Sequence, residues 1–493
     1  MLDINNFRPD KGGDPEVVRQ SQLRRNASPD LVEQVISADR DWRKLNFQFE
    51  NLSKELNLIS KGIAALKKDK QSCEQDAERL TTKAKALRQE VQKARDQESQ
   101  ALSRRTAALL EIGNIVDADV PISNDEAHNR VLRVVGTPSA QEPWMRSHPE
   151  LVKMLGIANL DAGQTVAGSR GYYLLGQGVI LNQAIINYAL QFLASRGFEP
   201  IHTPFFMTRE VLEECAQLSQ FDDELYRITE SGDASTSSGN DKYLIATSEQ
   251  PLCALHRQAW LEAAELPLRY AGFSTCFRRE VGSHGKDTLG IFRVHQFEKV
   301  EQFCLTPPDQ EASNNEMEAM IRHAEDFYQS LGIPFRVVSI VSGALNKAAS
   351  KKYDLEAWFP AGQSYRELVS CSNCTDYQAR RLGIRMRASS KTAPPDNAQI
   401  QKKDIKEATS PPHSPPHPHP LGSSFVHMLN STLVASQRAI CCILENHQTP
   451  QGIVIPKPLR PFMMGQDFLP FKMPDSRRGG AVLTDISRRI LHK

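Results

Sequence analysis

The sequence predicts an α+β fold in which an N-terminal antiparallel two-helix coiled-coil arm precedes a domain built on an antiparallel sheet flanked by helices. Two observations predict the two parts: heptad spacing of apolar residues from Leu31 to Leu66, and alternating side chains around a polar loop from Phe277 to Glu301. A third observation limits the possible nucleotide-binding folds. Regular βαβ alternation and a glycine-rich phosphate loop are absent from the sequence, which argues against a Rossmann or P-loop site.

The arm is predicted from apolar positions that alternate steps of four and three residues. In the first helix these positions are Leu31, Val35, Ala38, Trp42, Leu45, Phe49, Leu52, Leu56, Ile59, Ile63 and Leu66. Ser28-Pro29-Asp30 is typical of a helix start. A second series runs from Ala77 to Ala101, and Glu98 and Arg105 interrupt its register. The short polar link of residues 67–72 predicts that the helices fold back on each other.

The charge of the arm suggests a role for it. Residues 40–105 contain 16 basic and 10 acidic side chains, with Lys67, Lys68 and Lys70 at the predicted tip. Such a surface suits RNA phosphates, whereas the heptads alone are also typical of a dimerisation coiled coil. Charge alone leaves both interpretations open.

The segment from Phe277 to Glu301 is predicted to form two strands of an antiparallel hairpin, joined by a loop with Gly282, Gly285 and Gly290. Alternation places Arg278 with Glu280 on one face of the first strand. On one face of the second strand it places Arg293, His295, Phe297, Lys299 and Glu301. An apolar core does not tolerate so many charges, whereas a site for a phosphate, a flat base and an ammonium group needs them.

These residues carry a family resemblance. Phe277-Arg278-Arg279-Glu280 followed by Arg293 resembles motif 2 of the class II aminoacyl-tRNA synthetases. The run RVHQFEKVE, residues 293–301, is similar to the seryl-tRNA synthetase form of that motif, in its eukaryotic cytosolic type. The resemblance implies a class II catalytic domain and ligation of serine to tRNA(Ser), and to tRNA(Sec) where present. It also implies that the helical arm grips the tRNA.

Two upstream segments fit the same family. Residues 197–207 (GFEPIHTPFFM) resemble motif 1, a helix leading into a strand at the dimer interface of class II enzymes. Thr247, Ser248 and Glu249 match the family's serine-binding element, with Thr247 and Glu249 expected on one strand face. An ordinary strand followed by Pro251 as a helix starter explains that stretch equally well.

Two downstream segments complete the resemblance. Glu367 and Ser370 match family positions near ATP and its magnesium, and hard oxygen ligands suit Mg²⁺. Residues 371–374 have CxxC spacing, but no second CxxC or histidine pair accompanies them, so zinc is not expected. Asn430 and Thr432 precede a helix carrying Arg438, as in motif 3.

The resemblance implies a complete set of site residues. ATP is expected at Arg278, Glu280, Val294, His295, Gln296, Phe297, Glu367, Leu368, Val369, Ser370 and Arg438. Serine is expected at Thr247, Ser248, Glu249, Arg278, Glu301, Asn430 and Thr432, and Mg²⁺ at Glu367 and Ser370. The expected catalytic residues are Arg278, Glu280 and Arg438.

Within that set, the resemblance implies Arg278 at the α-phosphate, Glu280 at the adenine amino group and Phe297 stacked on the base. Glu301 is expected at the serine ammonium group, and Arg438 at the γ-phosphate. Arg293 is a second anion contact.

Domain limits follow from composition and resemblance together. We expect a tRNA-binding domain over residues 1–115, with residues 115–143 as a polar linker, and a catalytic domain over 116–473. Residues 388–423 contain the run PPHSPPHPHP; its histidines could bind a metal, but a disordered insertion is the favoured interpretation. Residues 474–493 form a basic tail.

Composition limits the setting of the protein. The 493 residues carry a formal net charge of +1, so nucleic-acid contacts must come from local patches. Nine scattered cysteines favour a reducing compartment, and neither a signal peptide nor a run of 18 uncharged apolar residues is present. A cytoplasmic homodimer without membrane contact is expected. A catalytically silent relative or another amino-acid specificity would require changes at the motif residues, and none is seen.

Overall fold

The computed structural model describes residues 1–68, 74–215, 224–229, 241–280, 289–387 and 424–473. The chain forms two compact units: residues 1–128 with 341–350, and residues 129–340 with 351–493. The helices are α1 (Pro15–Arg24), α2 (Asp30–Lys68), α3 (Glu74–Glu111), α4 (His148–Leu155), α5 (Leu160–Ala167), α6 (Gln177–Ala194), α7 (Arg209–Cys215), α8 (Glu249–Ala254), α9 (Gln310–Ser330), α10 (Tyr377–Leu382) and α11 (Ser436–Asn446).

The strands are all in the second unit. They are β1 (Arg130–Val135), β2 (Ala158–Asn159), β3 (Tyr173–Leu174), β4 (Glu199–His202), β5 (Phe206–Thr208), β6 (Arg227–Ile228), β7 (Lys242–Leu244), β8 (Trp260–Leu261), β9 (Leu268–Phe277), β10 (Gln296–Thr306), β11 (Phe335–Ser339), β12 (Lys351–Phe359), β13 (Ser364–Asn373), β14 (Arg385–Met386), β15 (Ser424–Phe425), β16 (His427–Ala435), β17 (Gly452–Val454) and β18 (Phe468–Pro470).

Helices α2 and α3 form the antiparallel hairpin that the heptads predict. Helix α2 begins at Asp30, whose backbone N–H donates to the Ser28 hydroxyl at 3.2 Å. Contacts pair early residues of α2 with late residues of α3: the Trp42 indole donates to Glu98 at 2.6 Å. Further along, Lys83 lies 3.0 Å from Glu55. The fold class expected for this part of the chain is therefore confirmed.

The polar residues that interrupt the second heptad series have partners across the hairpin. Glu98 accepts the indole bond from Trp42, and the Arg105 guanidinium lies 4.0 Å from the centre of the same ring. Arg105 also lies 3.5 Å from Asp39, a buried carboxylate that Arg8 binds through two nitrogens at 2.6 and 2.8 Å. These interruptions are a charged, hydrogen-bonded layer inside the seam.

The first unit also includes a segment from much later in the chain. The Arg25 guanidinium donates to the carbonyls of Asn114, at 2.9 Å, and of Asn346, at 3.0 Å. The backbone N–H of Asn114 in turn donates to the carbonyl of Lys347 at 2.7 Å. Residues 341–350 therefore belong to this unit, which no local pattern in the sequence indicates.

The second unit is built on a large, mainly antiparallel sheet. Among the described residues it has eight strands in the order β1-β11-β12-β13-β16-β10-β9-β4, and only the β4–β9 pair is parallel. Helices α6, α9 and α11 cover one face. On β10, Val300 and Cys304 pack into that helical layer, so the alternating Lys299 and Phe303 point to the other face.

Smaller elements cover part of that other face. Strands β5, β7 and β6 form a small sheet, and helices α7, α8 and α10 pack beside it around Leu212, Ile245, Leu252 and Phe303. Near the start of β10 the same face holds the pocket described below.

Several sequence-based expectations need correction or lie beyond the described residues. The predicted linker of residues 115–143 contains β1, which pairs with β11 at the sheet edge, and Leu132 and Val135 of this strand pack against the core. The side chains at the basic tip, the glycines at 282 and 285, the Pro/His-rich stretch of 388–423 and the tail of 474–493 lie outside the described residues. Within the described ranges, every helix is too short or too polar to cross a bilayer.

The buried Asp39 should set the stability of the hairpin base. Replacing Asp39 with Ala leaves Arg8 and Arg105 without their shared carboxylate, so we expect the free energy of unfolding of the first unit to fall by about 3–5 kcal/mol. Circular dichroism during urea unfolding measures the change.

Asp41→Ala in the same helix is the matched control, since Asp41 is exposed and its loss should change stability by less than about 0.5 kcal/mol. Equal stability of the two variants would contradict a structural role for the Asp39 cluster.

Candidate active site

A pocket opens on the large sheet where β10, β13 and β16 lie side by side and α11 begins. Its walls combine cations, carboxylates and aromatic rings. It is lined by Arg278, Glu280, Phe292, Arg293, Val294, Phe297, Lys299, Glu367, Leu368, Thr432, Ala435, Gln437 and Arg438. The structure thus brings together residues from three separate sequence segments.

The arginines at the strand ends do not lie within strands as alternation predicts. Strand β9 ends at Phe277 and β10 begins at Gln296, so Arg278, Glu280 and Arg293 belong to the connecting segments. The two segments still pair, because the Arg278 backbone N–H donates to the His295 carbonyl at 2.9 Å. The strand ladder ends at this bond, and Arg278, Glu280 and Arg293 beyond the ladder line the pocket.

Arg278 is held over an aromatic ring. Its guanidinium carbon lies 5.3 Å from the centre of the Phe297 ring, and its Nε donates to the carbonyl of Ala246 at 3.2 Å. His295 Nδ1 lies 2.8 Å from the Arg278 carbonyl, which fixes the backbone as well. A planar cation beside an open aromatic face can bind a phosphate next to a stacked base.

Glu280 forms an ion pair with Arg293, whose Nε lies 2.5 Å from its carboxylate. Glu280 adopts a left-handed backbone conformation with φ of 49°, which a non-glycine residue rarely does. The unusual conformation turns its side chain back into the pocket, where Arg293 holds it.

The pocket floor contains a buried cluster on the central strand. Lys299 Nζ lies 2.5 Å from Glu301, and the Thr432 hydroxyl donates to the same carboxylate at 3.2 Å. Lys299 and Glu301 are 6% and 2% exposed, so their charges must compensate each other. Sequence reasoning placed Lys299 on this face but gave it no role; its position between Phe297 and Glu301 was the available signal.

Thr247, Ser248 and Glu249 lie in a turn and the start of α8, not along a strand, so the expected shared strand face is wrong. Ser248 is buried and donates to the Gly272 carbonyl at 3.2 Å, while the Thr247 hydroxyl accepts from the Glu249 N–H. Pro251 lies within the first turn of α8, as its helix-starting preference suggests.

Gly272 explains how α8 reaches the floor cluster. It pairs with Glu301 across β9 and β10, and a Cβ there would overlap the Leu252 side chain of α8. The missing side chain lets the helix approach, so Glu249 comes close to Glu301. Desolvation and then the Glu301 charge raise the pKa of Glu249, with Lys299 acting in the opposite direction.

On the opposite wall, Arg438 in the first turn of α11 donates to the Glu367 carbonyl at 3.2 Å. Its guanidinium lies 3.7 Å from the Glu367 carboxylate and 5.1 Å from the centre of the Phe292 ring. Desolvation opposes ionisation of Glu367, but the charges of Arg438 and Lys352 lower its pKa overall. An ionised carboxylate thus stands beside the pocket.

Behind Glu367 lies a carboxylate that the sequence did not single out. Asp354 on β12 pairs in register with Ser370 on β13, is 5% exposed, and lies 3.2 Å from Lys352 Nζ. Desolvation raises the pKa of Asp354 to about 7, with Lys352 opposing and Glu367 adding to the shift.

The remaining expected residues occupy different places. Val294 and Leu368 line the pocket, whereas the side chain of Val369 is buried in the hydrophobic core between the large sheet and its helices. Asn430 lies two residues before Thr432 on β16, with its amide 3.7 Å from the buried Cys374 sulfur. His295 and Gln296 line a second cavity.

Comparisons with known proteins agree with this geometry. Residues 229–395 match the tRNA synthetase class II core domain (G, H, P, S and T), and residues 1–116 match the seryl-tRNA synthetase N-terminal domain. A cytoplasmic serine–tRNA ligase of Arabidopsis thaliana is 48% identical over 474 residues, covering 96% of this chain and 97% of the relative.

Two solved structures are similar over nearly the whole chain. The cytoplasmic serine–tRNA ligase of Naegleria fowleri in complex with AMP is 45% identical with a TM-score of 0.77, covering 96% of this chain and 99% of that one. The seryl-tRNA synthetase of Pyrococcus horikoshii complexed with ATP is 33% identical with a TM-score of 0.79, covering 96% and 100%.

The antiparallel sheet and the pocket of arginines and carboxylates on it define a class II aminoacyl-tRNA synthetase. The subfamily is assigned from both units. The first unit matches the seryl-tRNA synthetase N-terminal domain, and the relative that is 48% identical over 96% of the chain is a serine–tRNA ligase. The chain belongs to the seryl-tRNA synthetase family.

The raised pKa of Asp354 predicts a pH dependence of stability. Between about pH 4 and 7 the unfolded chain releases this proton while the folded chain keeps it, so the free energy of unfolding should fall as pH rises, by up to about 1.4 kcal/mol per pH unit. In Asp354→Asn this falling contribution should disappear. Unfolding midpoints in urea from pH 4.5 to 7.5 measure it.

The exposed Asp467→Asn is the control and should reproduce the wild-type profile. A profile of Asp354→Asn that runs parallel to the wild type would show that Asp354 does not retain its proton in the folded state.

Proposed function

We propose that this protein is a cytoplasmic serine–tRNA ligase. It activates L-serine with ATP to seryl-adenylate and pyrophosphate. A terminal ribose hydroxyl of tRNA(Ser), and of tRNA(Sec) where present, then attacks the seryl carbonyl carbon, forms the ester bond and releases AMP. The observation that carries the proposal is a single pocket lined by Arg278, Lys299, Thr432 and Arg438. Lys299 and Thr432 both contact the buried Glu301 carboxylate. The names of the relatives, and the AMP and ATP in the related structures, support the same reaction.

In the activation step a serine carboxylate oxygen attacks the α-phosphorus of ATP. A new O–P bond forms, the bond from the α-phosphorus to the bridging oxygen breaks, and pyrophosphate leaves with the electron pair. Arg278 stabilises the charge that develops on the α-phosphate. Phe297 stacks on adenine, and Glu280 accepts a hydrogen bond from the adenine amino group. Arg438 binds the γ-phosphate, and Arg293 adds a further anion contact.

Serine binds at the floor cluster. Glu301 takes the ammonium group, while Thr432 and Asn430 contact the side chain, with the Thr247–Glu249 turn closing the far side. Lys299 compensates the carboxylate charge of Glu301. A site built around a hydroxyl leaves buried polar groups unpaired when alanine binds, so alanine is rejected.

Mg²⁺ is held by Glu367 and Ser370. Two observations support the fit: the lowered pKa of Glu367 keeps an oxygen ligand ionised at the pocket, and Ser370 places a hydroxyl three residues along the same strand. When bound, the ion neutralises phosphate charge. The protein residues orient the triphosphate, with Arg438 beside Glu367 on the same wall.

The tRNA is bound through the arm. The match of residues 1–116 to the family's N-terminal domain and the excess of basic residues over 40–105 support this role. A homodimer is proposed on the motif 1 elements α6 and β4, since β4 is an edge strand of the large sheet.

Arg278→Ala should lower serine-dependent ATP–pyrophosphate exchange by at least about a hundredfold, because one preorganised contact to the developing charge is lost. Exchange of labelled pyrophosphate into ATP, with circular dichroism to check folding, measures it. Arg279→Ala, one residue on and outside the pocket, is the matched control. Normal exchange in Arg278→Ala would remove the phosphate role.

Replacing residues 31–110 with a short linker should leave pyrophosphate exchange near the wild-type rate but strongly reduce charging of tRNA. Only the second step needs the phosphate contacts of the arm, and the lost contacts should also weaken the salt dependence of charging. Exchange and charging are measured on the same preparation. Undiminished charging would make the arm a scaffold instead.

A further inference from the structure

A second cavity of about 220 Å³ lies beside the candidate active site, and of the residues that line it only His295 and Gln296 belong to the set assigned to ATP and serine. Four of its nine lining residues carry rings, and one, Arg170, is a cation. It is lined by Ala167, Arg170, Gly171, Tyr172, Tyr226, Leu244, Phe277, His295 and Gln296. We call it the aromatic cleft.

The aromatic cleft and the nucleotide pocket share one wall. Near the end of β9 and the start of β10, Arg278 and Arg293 line the pocket, whereas Phe277 and His295 line the cleft. The Arg278–His295 backbone bond of 2.9 Å holds this wall together. A chain bound in the cleft would therefore lie next to the reacting groups.

The aromatic side chains of the cleft are held in fixed positions. The Tyr226 ring meets the His295 ring edge to face at 6.2 Å, and the Tyr172 hydroxyl donates to the Gln296 carbonyl at 3.0 Å. Phe277 is fixed at the end of β9, where its N–H donates to the Ile245 carbonyl at 2.8 Å. Preplaced rings of this kind form stacking platforms for bases.

Two arginines lie near the rings. Arg170 lines the cleft and donates to the Glu280 carbonyl at 2.9 Å. The Arg279 backbone N–H donates to the carbonyl of Glu224, two residues before Tyr226, and the Arg279 charge acts on the Tyr226 hydroxyl. Aromatic platforms next to arginines are the combination that binds single-stranded nucleic acid.

We propose that the aromatic cleft binds a base of the single-stranded 3′ end of the tRNA, just before the terminal ribose that receives the seryl group. The inference rests on the proposed function, which requires that ribose to reach the pocket on the other side of the shared wall. Continuity with the pocket, arginines at the rim and fixed rings together favour this occupant over a peptide or a second copy of the chain.

Tyr226→Ala tests the proposal, because Tyr226 lies outside the residues assigned to ATP and serine. The KM for tRNA in serine charging should rise about tenfold, since stacking of one base is lost, while serine-dependent pyrophosphate exchange stays at the wild-type rate. Tyr226→Phe keeps the ring and should restore the wild-type KM. Tyr173→Ala, which removes an exposed aromatic ring that does not line the cleft, is the matched control and should change neither quantity.

A tRNA trimmed of its last three nucleotides serves as a competitive inhibitor in the same assay. It should inhibit wild type and Tyr226→Ala equally, because it lacks the part that the cleft binds. If Tyr226→Ala unfolds, Tyr226→Leu preserves the volume without the aromatic face and gives the same comparison.

Four results would overturn the proposal: an unchanged KM for tRNA, a weaker inhibition constant of the trimmed tRNA in the variant, loss of pyrophosphate exchange, or a change of oligomeric state in light scattering. The last would mean that a second copy covers the cleft. Failure of the proposed function itself is distinguishable, since wild-type protein would then show no serine-dependent exchange.

Discussion

The buried ion pair between Lys299 and Glu301 is the constraint around which the site is arranged. Two charges inside a central strand are tolerable only when each compensates the other and the remaining lone pairs find donors, as Thr432 provides here. Gly272 opposite Glu301 then admits α8 and brings Glu249 to the same cation. The floor of the pocket is thus polar because Lys299 and Thr432 compensate the Glu301 carboxylate and because Gly272 leaves room for α8.

Above that floor, function depends on where the sheet stops. The ladder between β9 and β10 ends at Phe277 and Gln296, and the chains beyond it diverge while sharing a last backbone bond between Arg278 and His295. At that end Arg278 and Arg293 line the nucleotide pocket, whereas Phe277 and His295 line the aromatic cleft, so the two adjacent cavities differ in chemistry.

The arm shows a related compromise between packing and polarity. Glu98 and Arg105 occupy seam positions that an ideal coiled coil would give to apolar residues, yet both contact polar groups of Trp42 or Asp39 on the facing helix. A polar layer in a seam costs stability and fixes register, since any shift would leave buried charges unpaired. Such a layer suits an arm that must present its basic surface in one alignment.

The sequence by itself determined the helical hairpin, the antiparallel class and the residue types of the site, because heptad spacing, alternation and motif resemblance are local properties that need no partner. Tertiary structure alone decided the turn that holds Thr247 and Glu249, the role of Lys299, the place of Asp354 behind Glu367, and the inclusion of residues 341–350 in the first unit. Each of these depends on contacts between segments tens or hundreds of residues apart. Their energies come from burial and charge compensation, which appear only once the chain has folded.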